Sequence, residues 1–258
     1  PIKSRNSQIL LNKLYRDYRK NLDDMDKIHK AVLIRFFFVF NLILFPCLSL
    51  ADDFKTFTIS FLGQKIGSLK LSETTISDSK SILISGEILS SPFETFNGIF
   101  EYKSDIYSEN DGLSSLKYKS SVNTIFKTRK INIFVKNDNL IDVTVSPPKE
   151  QTEFSDPGSV VFKFIDPPNS FVKLLHTPCS NPFIIYDGRR IIDIIPLEAE
   201  TEFECRYLYK IINGPGHLSP FNFKNFEILF LSEKSDKSSS LTLIVKAGPF
   251  KLTFNEDR

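Results

Sequence analysis

Apolar and polar side chains alternate one by one through most of residues 52–258, and this alternation restricts the fold more than any other feature. Phe57, Ile59 and Phe61, for example, alternate with Thr and Ser residues. A period of two is typical of antiparallel strands that bury one face. Gly86, inside a predicted strand, suggests a bulge or a barrel corner. We therefore predict an all-β domain, an antiparallel meander of about ten or more strands curled into a barrel or half-barrel.

One short helix is expected in this domain, after the sequence Asp166-Pro167-Pro168. Asn169 or Ser170 is the predicted N-terminal cap, because the apolar residues of Phe171–Leu175 follow at once. Just before this helix, Val160–Phe164 has the composition of a short strand.

The segment Met25–Ala51 has the order of a secretory signal peptide: basic, then apolar, then small residues. Three basic residues precede the apolar run Phe36–Phe45, and Ser49-Leu50-Ala51 has the small-x-small pattern that signal peptidase recognises. Cleavage is therefore predicted between Ala51 and Asp52. The export machinery and signal peptidase are the expected partners of this segment, and the mature protein is expected in the periplasm or secreted beyond it.

Two other interpretations of this segment are weaker. A membrane anchor needs roughly 20 apolar residues, whereas residues 36–51 number 16 and include Asn, Pro and Ser. Lipid attachment at Cys47 would normally follow a small residue, but Phe45 and Pro46 precede it. After cleavage no permanent membrane span is expected.

Residues 1–24 precede the basic part of the signal peptide. Met25 is the only methionine, so translation is predicted to start there and residues 1–24 to be an upstream extension, disordered or helical. The alternative is a genuine extension that forms a short basic helix. Residues 52–258 then form one β-rich domain of ordinary size.

The charge of the chain depends on this division. Of its 33 basic and 31 acidic residues, 9 and 4 lie in residues 1–51, which leaves 24 and 27 and a formal charge of −3. Such a balance favours no nucleic-acid surface.

Cys179 and Cys205 are the two cysteines of residues 52–258. An even pair in an exported protein predicts a disulfide. Two buried free thiols are the alternative. A metal site is not expected, because no Cys-x-x-Cys occurs and His176 alone completes no ligand set.

No catalytic motif is found around the two histidines of residues 52–258, His176 and His217. His176 ends the predicted helix, where a cation suits the helix dipole. His217 follows Gly-Pro-Gly and is expected in a solvated loop. We therefore expect neither catalytic residues nor a cofactor, and the chain is not predicted to be an enzyme.

The sequence Asp187-Gly188-Arg189-Arg190 is the best local candidate for a functional site. Asp187 and Gly188 predict a tight turn, and Arg189 and Arg190 could bind an anion, because guanidinium groups match carboxylate and phosphate. In the alternative interpretation the arginines pair with Asp193 and other acids, and the segment is only a turn.

This turn stands between Cys179 and Cys205, and Asp166-Pro167 stands before the predicted helix. In this layout residues 52–258 resemble the exported bacterial proteins grouped as domain of unknown function 3108. The resemblance implies a β-rich protein of the cell envelope of a Gram-negative bacterium, without established chemistry.

Two classes of function are consistent with these features. The first is a non-catalytic binding or carrier module that holds an apolar or lipid-like ligand in a Phe-rich interior. The second is a structural or interaction protein of the envelope, or a secreted factor, that docks a protein partner. An interior cavity would favour the first class, and an interior filled by side chains would favour the second.

Overall fold

The structure is a computed structural model that describes residues 53–89, 97–108, 114–176, 179–199, 201, 203–217, 222–235 and 238–257. The predictions for residues 1–24, for the signal peptide and for cleavage between Ala51 and Asp52 lie outside these residues.

Within these described residues, thirteen strands form one antiparallel sheet. They are β1 (Asp53–Phe61), β2 (Gln64–Ile76), β3 (Ser79–Ile88), β4 (Gly98–Ser108), β5 (Ser114–Thr124), β6 (Thr128–Lys136), β7 (Asn139–Ser146), β8 (Phe183–Tyr186), β9 (Ile191–Leu197), β10 (Glu204–Asn213), β11 (Asn225–Ser235), β12 (Ser238–Ala247) and β13 (Phe250–Glu256).

Among the described strands, those that follow each other in the chain are neighbours in the sheet, except β7 and β8. The order is β7-β6-β5-β4-β3-β2-β1-β13-β12-β11-β10-β9-β8, so the first and last strands pair at the centre. The sheet edges, β7 and β8, are consecutive in the chain but are not paired with each other. The sheet is therefore an open meander, and the predicted half-barrel is confirmed.

Cross-strand pairs show why the alternating sequence folds in this way. Leu71 of β2 lies opposite Ile84 of β3, and both are buried. Their polar neighbours face the other side of the sheet, because successive residues of a strand point to opposite faces. Apolar pairs of this kind stabilise a sheet and also fix its register.

Gly86 is not a bulge, so the first of the two features that the sequence suggested at this position is absent from the described strand pairing. The pairing of β3 with β2 and β4 passes through it without a shift. A Cβ atom at this position would lie 2.5 Å from the Phe100 ring and 2.6 Å from the Ser68 carbonyl oxygen. Glycine is needed here because neighbouring atoms approach the backbone closely.

The predicted helix is α1, Pro167–His176. Its cap is Asp166, not Asn169 or Ser170. Asp166 Oδ1 accepts a hydrogen bond from the Asn169 backbone N–H at 3.2 Å, and its carbonyl accepts from the Ser170 N–H at 2.9 Å. The cap lies earlier than predicted because Pro167 fits the first helical position, where a missing N–H has no cost.

The connection from β7 to β8 contains three 3-10 turns, Pro148–Glu150, Glu153–Ser155 and Pro157–Ser159, before α1. Val160–Phe164 is not a strand, so that prediction is wrong. The segment forms no ladder with the sheet, and regular pairing is limited to an isolated parallel bridge between Ile165 and Ile185 of β8.

In the part of the chain that the structure describes, three groups of buried apolar residues form the core. Two of them meet at α1, where Leu174 belongs to one group and Val172 to the other, while Phe171 packs against both. The third group joins the two ends of the sheet: Ile131 and Ile133 of β6 pack with Tyr186 and Ile191 of β8 and β9. The sheet therefore curls around α1 until its edges approach each other.

Cys179 and Cys205 form the predicted disulfide. The bridge ties the segment after α1 to β10, across 26 positions of sequence. Such a bond fits an exported protein, because disulfides persist in oxidising compartments.

Within the described ranges, no helix is both long and apolar enough to span a bilayer.

Candidate functional site

A cavity of about 240 Å³ lies between α1 and the inner face of the sheet. Its walls are apolar along α1, β9 and β11, where Phe171, Leu174, Ile192, Ile194 and Ile228 contribute. Polar side chains gather at one end: Tyr102, Tyr118, Ser120, Arg129, Asp187, Arg190, Tyr209 and His217. The cavity therefore has an apolar body and a polar end.

A second hollow of about 390 Å³ lies near the start of β5 and the cap of α1. Two of its lining residues, Lys163 and Asp138, form an ion pair with side chains 88% and 72% exposed. Exposed charged side chains line part of this hollow, whereas mostly buried residues line the cavity beside α1, so that cavity is the stronger candidate site.

The turn Asp187–Arg190, which joins β8 to β9, supplies two of the polar lining residues. Asp187 Oδ1 accepts hydrogen bonds from the backbone N–H groups of Arg189 at 3.0 Å and Arg190 at 2.8 Å. Gly188 has φ +88°, and a Cβ atom there would lie 2.6 Å from Ile131 Cγ2. Asp187 thus holds the turn that the sequence predicted, and Gly188 lets it pack against β6.

Arg190 is buried and lines the cavity. Its Nε donates to Asp187 Oδ2 at 2.7 Å, and its Nη2 lies 2.5 Å from the same oxygen. Burial alone would lower the pKa of Arg190, but the charge and the hydrogen bond of Asp187, together with Tyr209 and Tyr102, outweigh burial and raise it. Arg190 therefore stays charged inside the protein.

Arg189 points away from this cavity and fastens the turn to the β7–β8 connection. Its Nε donates to the Glu150 carbonyl oxygen, and its Nη2 lies 3.2 Å from Glu150 Oε2. Thr152 and Ser155 donate hydroxyl hydrogen bonds, each 2.9 Å long, to the carbonyl oxygens of Arg189 and Gly188.

The two arginines of the predicted anion site are therefore separated by the structure. Arg190 lines the cavity, while Arg189 binds Glu150. Both arginines pair with acids, as the alternative interpretation expected, but the partners are Asp187 and Glu150 and not the Asp193 that it named.

Arg129 of β6 is a lining residue that the sequence analysis missed. Its Nη1 lies 3.8 Å from Glu150 Oε2, and its buried Nε has no hydrogen-bond partner within the described part of the chain. Arg129 shares a strand face with the buried Ile131 and Ile133, since all three are two positions apart. That parity was the signal that could have found it.

His217 is half-buried beside the cavity, although the sequence predicted a solvated loop. Arg190 Nη1 lies 2.6 Å from its Nδ1, and the Tyr209 hydroxyl lies 2.7 Å from its Nε2. Burial, and then the positive charge of Arg190, hold the pKa of His217 well below its usual value. A guanidinium only donates, so neutral His217 accepts at Nδ1 and donates from Nε2 to Tyr209.

Three tyrosines complete the polar end. Burial raises the pKa values of Tyr102, Tyr118 and Tyr209. All three phenols are therefore neutral at pH 7 and retain a hydrogen that can be donated.

The lining of the cavity carries one net positive charge. Arg129 and Arg190 are cationic, Asp187 is anionic and His217 is neutral. Just behind the lining, Glu150 is shared by Arg189 and Lys127, whose Nζ lies 2.6 Å away. Within the described ranges, no three His, Cys, Asp or Glu side chains are grouped so that they could hold a metal ion.

Comparisons with known proteins give no family for this chain. No protein-family model matches it, and neither does any curated protein. It is similar to a solved structure described as a beta-barrel-like protein of domain of unknown function DUF1849 from Brucella abortus, with 10% identity and a TM-score of 0.36 over 81% of this chain and 97% of that chain. The fold described above is established by the strand pairing of this chain itself.

Proposed function

We propose that this protein is a non-catalytic binding or carrier module of the bacterial cell envelope, which holds a small, largely apolar ligand. The cavity of about 240 Å³ between α1 and the sheet carries the proposal. An interior packed solid by its own side chains would offer a ligand no such volume.

The volume limits the ligand. Pockets for drug-sized ligands usually measure about 300–1,000 Å³, and the cavity lies just below this range at about 240 Å³. It would hold about eight waters at the ~30 Å³ that each occupies in the liquid. The proposed ligand is therefore a single ring or a short chain, and most of a two-chain lipid would lie outside the cavity.

The proposal places the protein in the periplasm, or secreted beyond it. The predicted signal peptide in Met25–Ala51 and the bridge between Cys179 and Cys205 support this compartment. We also propose membership of the domain of unknown function 3108 group, on the sequence layout described above.

Mass spectrometry under non-denaturing conditions tests the proposal on protein purified from its native envelope. We expect one small molecule bound per chain. Leu174→Phe should abolish this binding by filling the cavity, while circular dichroism shows a folded protein. Leu116→Phe is the matched control, because Leu116 lines the other hollow. Ligand-free protein, or loss of ligand only in the Leu116 variant, would contradict this assignment.

A second candidate function, docking a protein partner, is favoured by exposed apolar residues at one end of the sheet. Leu62, Leu89, Ile99, Ile125 and Phe126 are each between 59% and 82% exposed. They lie at the same end because the β1–β2 turn, the end of β3, the start of β4 and the β5–β6 turn meet there. Exposed apolar groups of this kind mark interaction surfaces.

Cross-linking in intact cells distinguishes this second function. The double substitution Ile125→Ser and Phe126→Ser should remove a specific cross-linked partner and leave ligand binding unchanged. An identical cross-linking pattern in the variant and the wild type would rule out this surface.

A further inference from the structure

We propose that the bound ligand is a small monocarboxylate with an apolar tail, whose carboxylate lies at the polar end of the cavity between Arg129 and Arg190. This inference rests on the proposed function, because it specifies the ligand of the same cavity. The hydrogen-bonding capacity, the charge and the shape of the cavity lining support it.

One arginine of the lining has an unsatisfied hydrogen-bond donor within the described part of the chain. The Nε of Arg129 is buried, and within the described residues it has no hydrogen-bond partner. A buried donor without an acceptor is costly, and in native proteins it calls for an explanation such as a bound group. Arg129 lines the cavity, so a small rotation of its side chain would bring this donor to an acceptor that enters from the cavity.

The net charge of the cavity lining favours an anionic ligand. Arg129 and Arg190 face the cavity against one carboxylate, that of Asp187, which leaves one positive charge. Asp187 is already occupied by two backbone N–H groups and the guanidinium of Arg190. One ligand carboxylate would balance the remaining charge, and a guanidinium matches it in geometry. A dianionic phosphate would leave an excess of negative charge.

Neutral polar side chains also line this end of the cavity. Tyr102 and Tyr118 line the same end of the cavity as the two arginines and keep their hydroxyl hydrogens. They can donate to a carboxylate without adding charge.

The tail of the ligand must suit the apolar wall of the cavity. Beyond the polar end, the walls are formed by Phe171 and Leu174 of α1 and by Ile192 and Ile194 of β9. No charged residue lies among these four, so an alkyl chain or a ring is the complementary tail.

Isothermal titration calorimetry of the oxidised mature chain tests the inference with hexanoate and hexanamide. The two probes have nearly the same size and apolar tail, but only hexanoate is charged. We expect hexanoate to bind at least about tenfold more tightly, because hydrogen bonds to a charged group are about twice as strong as neutral ones.

The matched variants are Arg129→Gln and Lys130→Gln. Each removes one positive charge from β6, but Lys130 is exposed whereas Arg129 lines the cavity. The Arg129 variant should bind hexanoate and hexanamide equally, while the Lys130 variant should keep the wild-type preference. Arg190 is left unchanged, because its removal would leave the buried Asp187 carboxylate unpaired.

Equal affinity of the wild type for the two probes would overturn the carboxylate assignment and leave the proposed function standing. An undiminished hexanoate preference in the Arg129 variant would overturn the role of that residue in the site. If neither probe binds at millimolar concentration while the native protein carries another molecule, this inference fails alone; if the native protein is also ligand-free, both fail. Should the Arg129 variant not fold, the comparison of the two probes on the wild type decides.

Discussion

Arg190, Asp187 and His217 form one hydrogen-bonded unit in which each residue depends on the others. The Arg190 guanidinium donates a hydrogen bond to the Asp187 carboxylate and another to the His217 imidazole. Local sequence predicted the turn, because Asp-Gly determines it within four residues. It did not predict the burial of His217, which lies 27 positions beyond Arg190 and reaches it only through the folded sheet.

The low pKa of His217 makes stability depend on pH. The unfolded chain binds a proton on this residue below about pH 6.5, whereas the folded protein does not. Folding therefore loses stability as pH falls below about 6.5, by up to about 1.4 kcal/mol per pH unit. Arg190, Arg129 and Arg189 all oppose protonation.

Urea denaturation between pH 7 and pH 5 measures this effect. His217→Gln should give a flatter dependence of the unfolding free energy on pH than the wild type. Parallel pH profiles for the two proteins would show that His217 is protonated equally in both states.

The buried hydroxyl of Tyr207 satisfies one backbone N–H group. Its hydroxyl accepts a hydrogen bond from the Ser180 backbone N–H at 2.7 Å, and its side chain is fully buried. Tyr207→Phe should cost about 1–3 kcal/mol, because the N–H of Ser180 loses its acceptor. Thermal denaturation measures the loss. Tyr107→Phe, the same change at an exposed tyrosine, should stay within about 0.5 kcal/mol of the wild type.

The strands were the most predictable elements, since each shows its own period of two. The helix was predicted in the right place but with the wrong cap, because Asn169 and Ser170 are common caps and Asp166 stood before two prolines. Val160–Phe164 has strand composition without a strand partner, and pairing is a property of the whole sheet that a local sequence does not carry.

The cap of α1 also joins the helix to the sheet. Asp166 Oδ2 accepts from Asn169 Nδ2 at 2.6 Å, and the same amide donates to Ser104 Oγ of β4 at 2.8 Å. Asp166→Ala should therefore destabilise the protein by about 1–2 kcal/mol in urea denaturation. Asp156→Ala removes an exposed cap from a 3-10 turn and should cost less than half as much. Equal losses would show that burial of the cap has no influence.

At the scale of the molecule, the meander and its curl were predictable from the sequence, and the identity of the site was not. Antiparallel alternation with turns at short intervals leads to neighbouring strands. The cavity instead depends on how far the sheet curls around α1, and on which side chains of β4–β6 then face β9–β11. Arg129 and His217 meet the cavity from opposite halves of the chain for this reason.

The disulfide links the segment after α1 covalently to β10. Replacing both Cys179 and Cys205 by Ser should cost about 3 kcal/mol in the chain-entropy account for a loop of 26 positions. Urea denaturation with and without a reductant measures it. Reductant should weaken the wild type to the level of the double variant and leave that variant unchanged. A wild type insensitive to reductant would mean that the bridge contributes little.

The free edges of the sheet have a consequence for how a guest molecule would enter. β7 and β8 are not joined by a ladder of backbone hydrogen bonds, and Phe154, Phe162 and Phe164 of the connection between them pack against the core group that contains Ile131, Tyr186 and Ile191. A guest that enters between β7 and β8 would displace aromatic rings, while every strand pair stays intact. Hydrogen–deuterium exchange should therefore find the amides around Ile165 opening sooner than those between β2 and β3, and slowing once the interior is occupied.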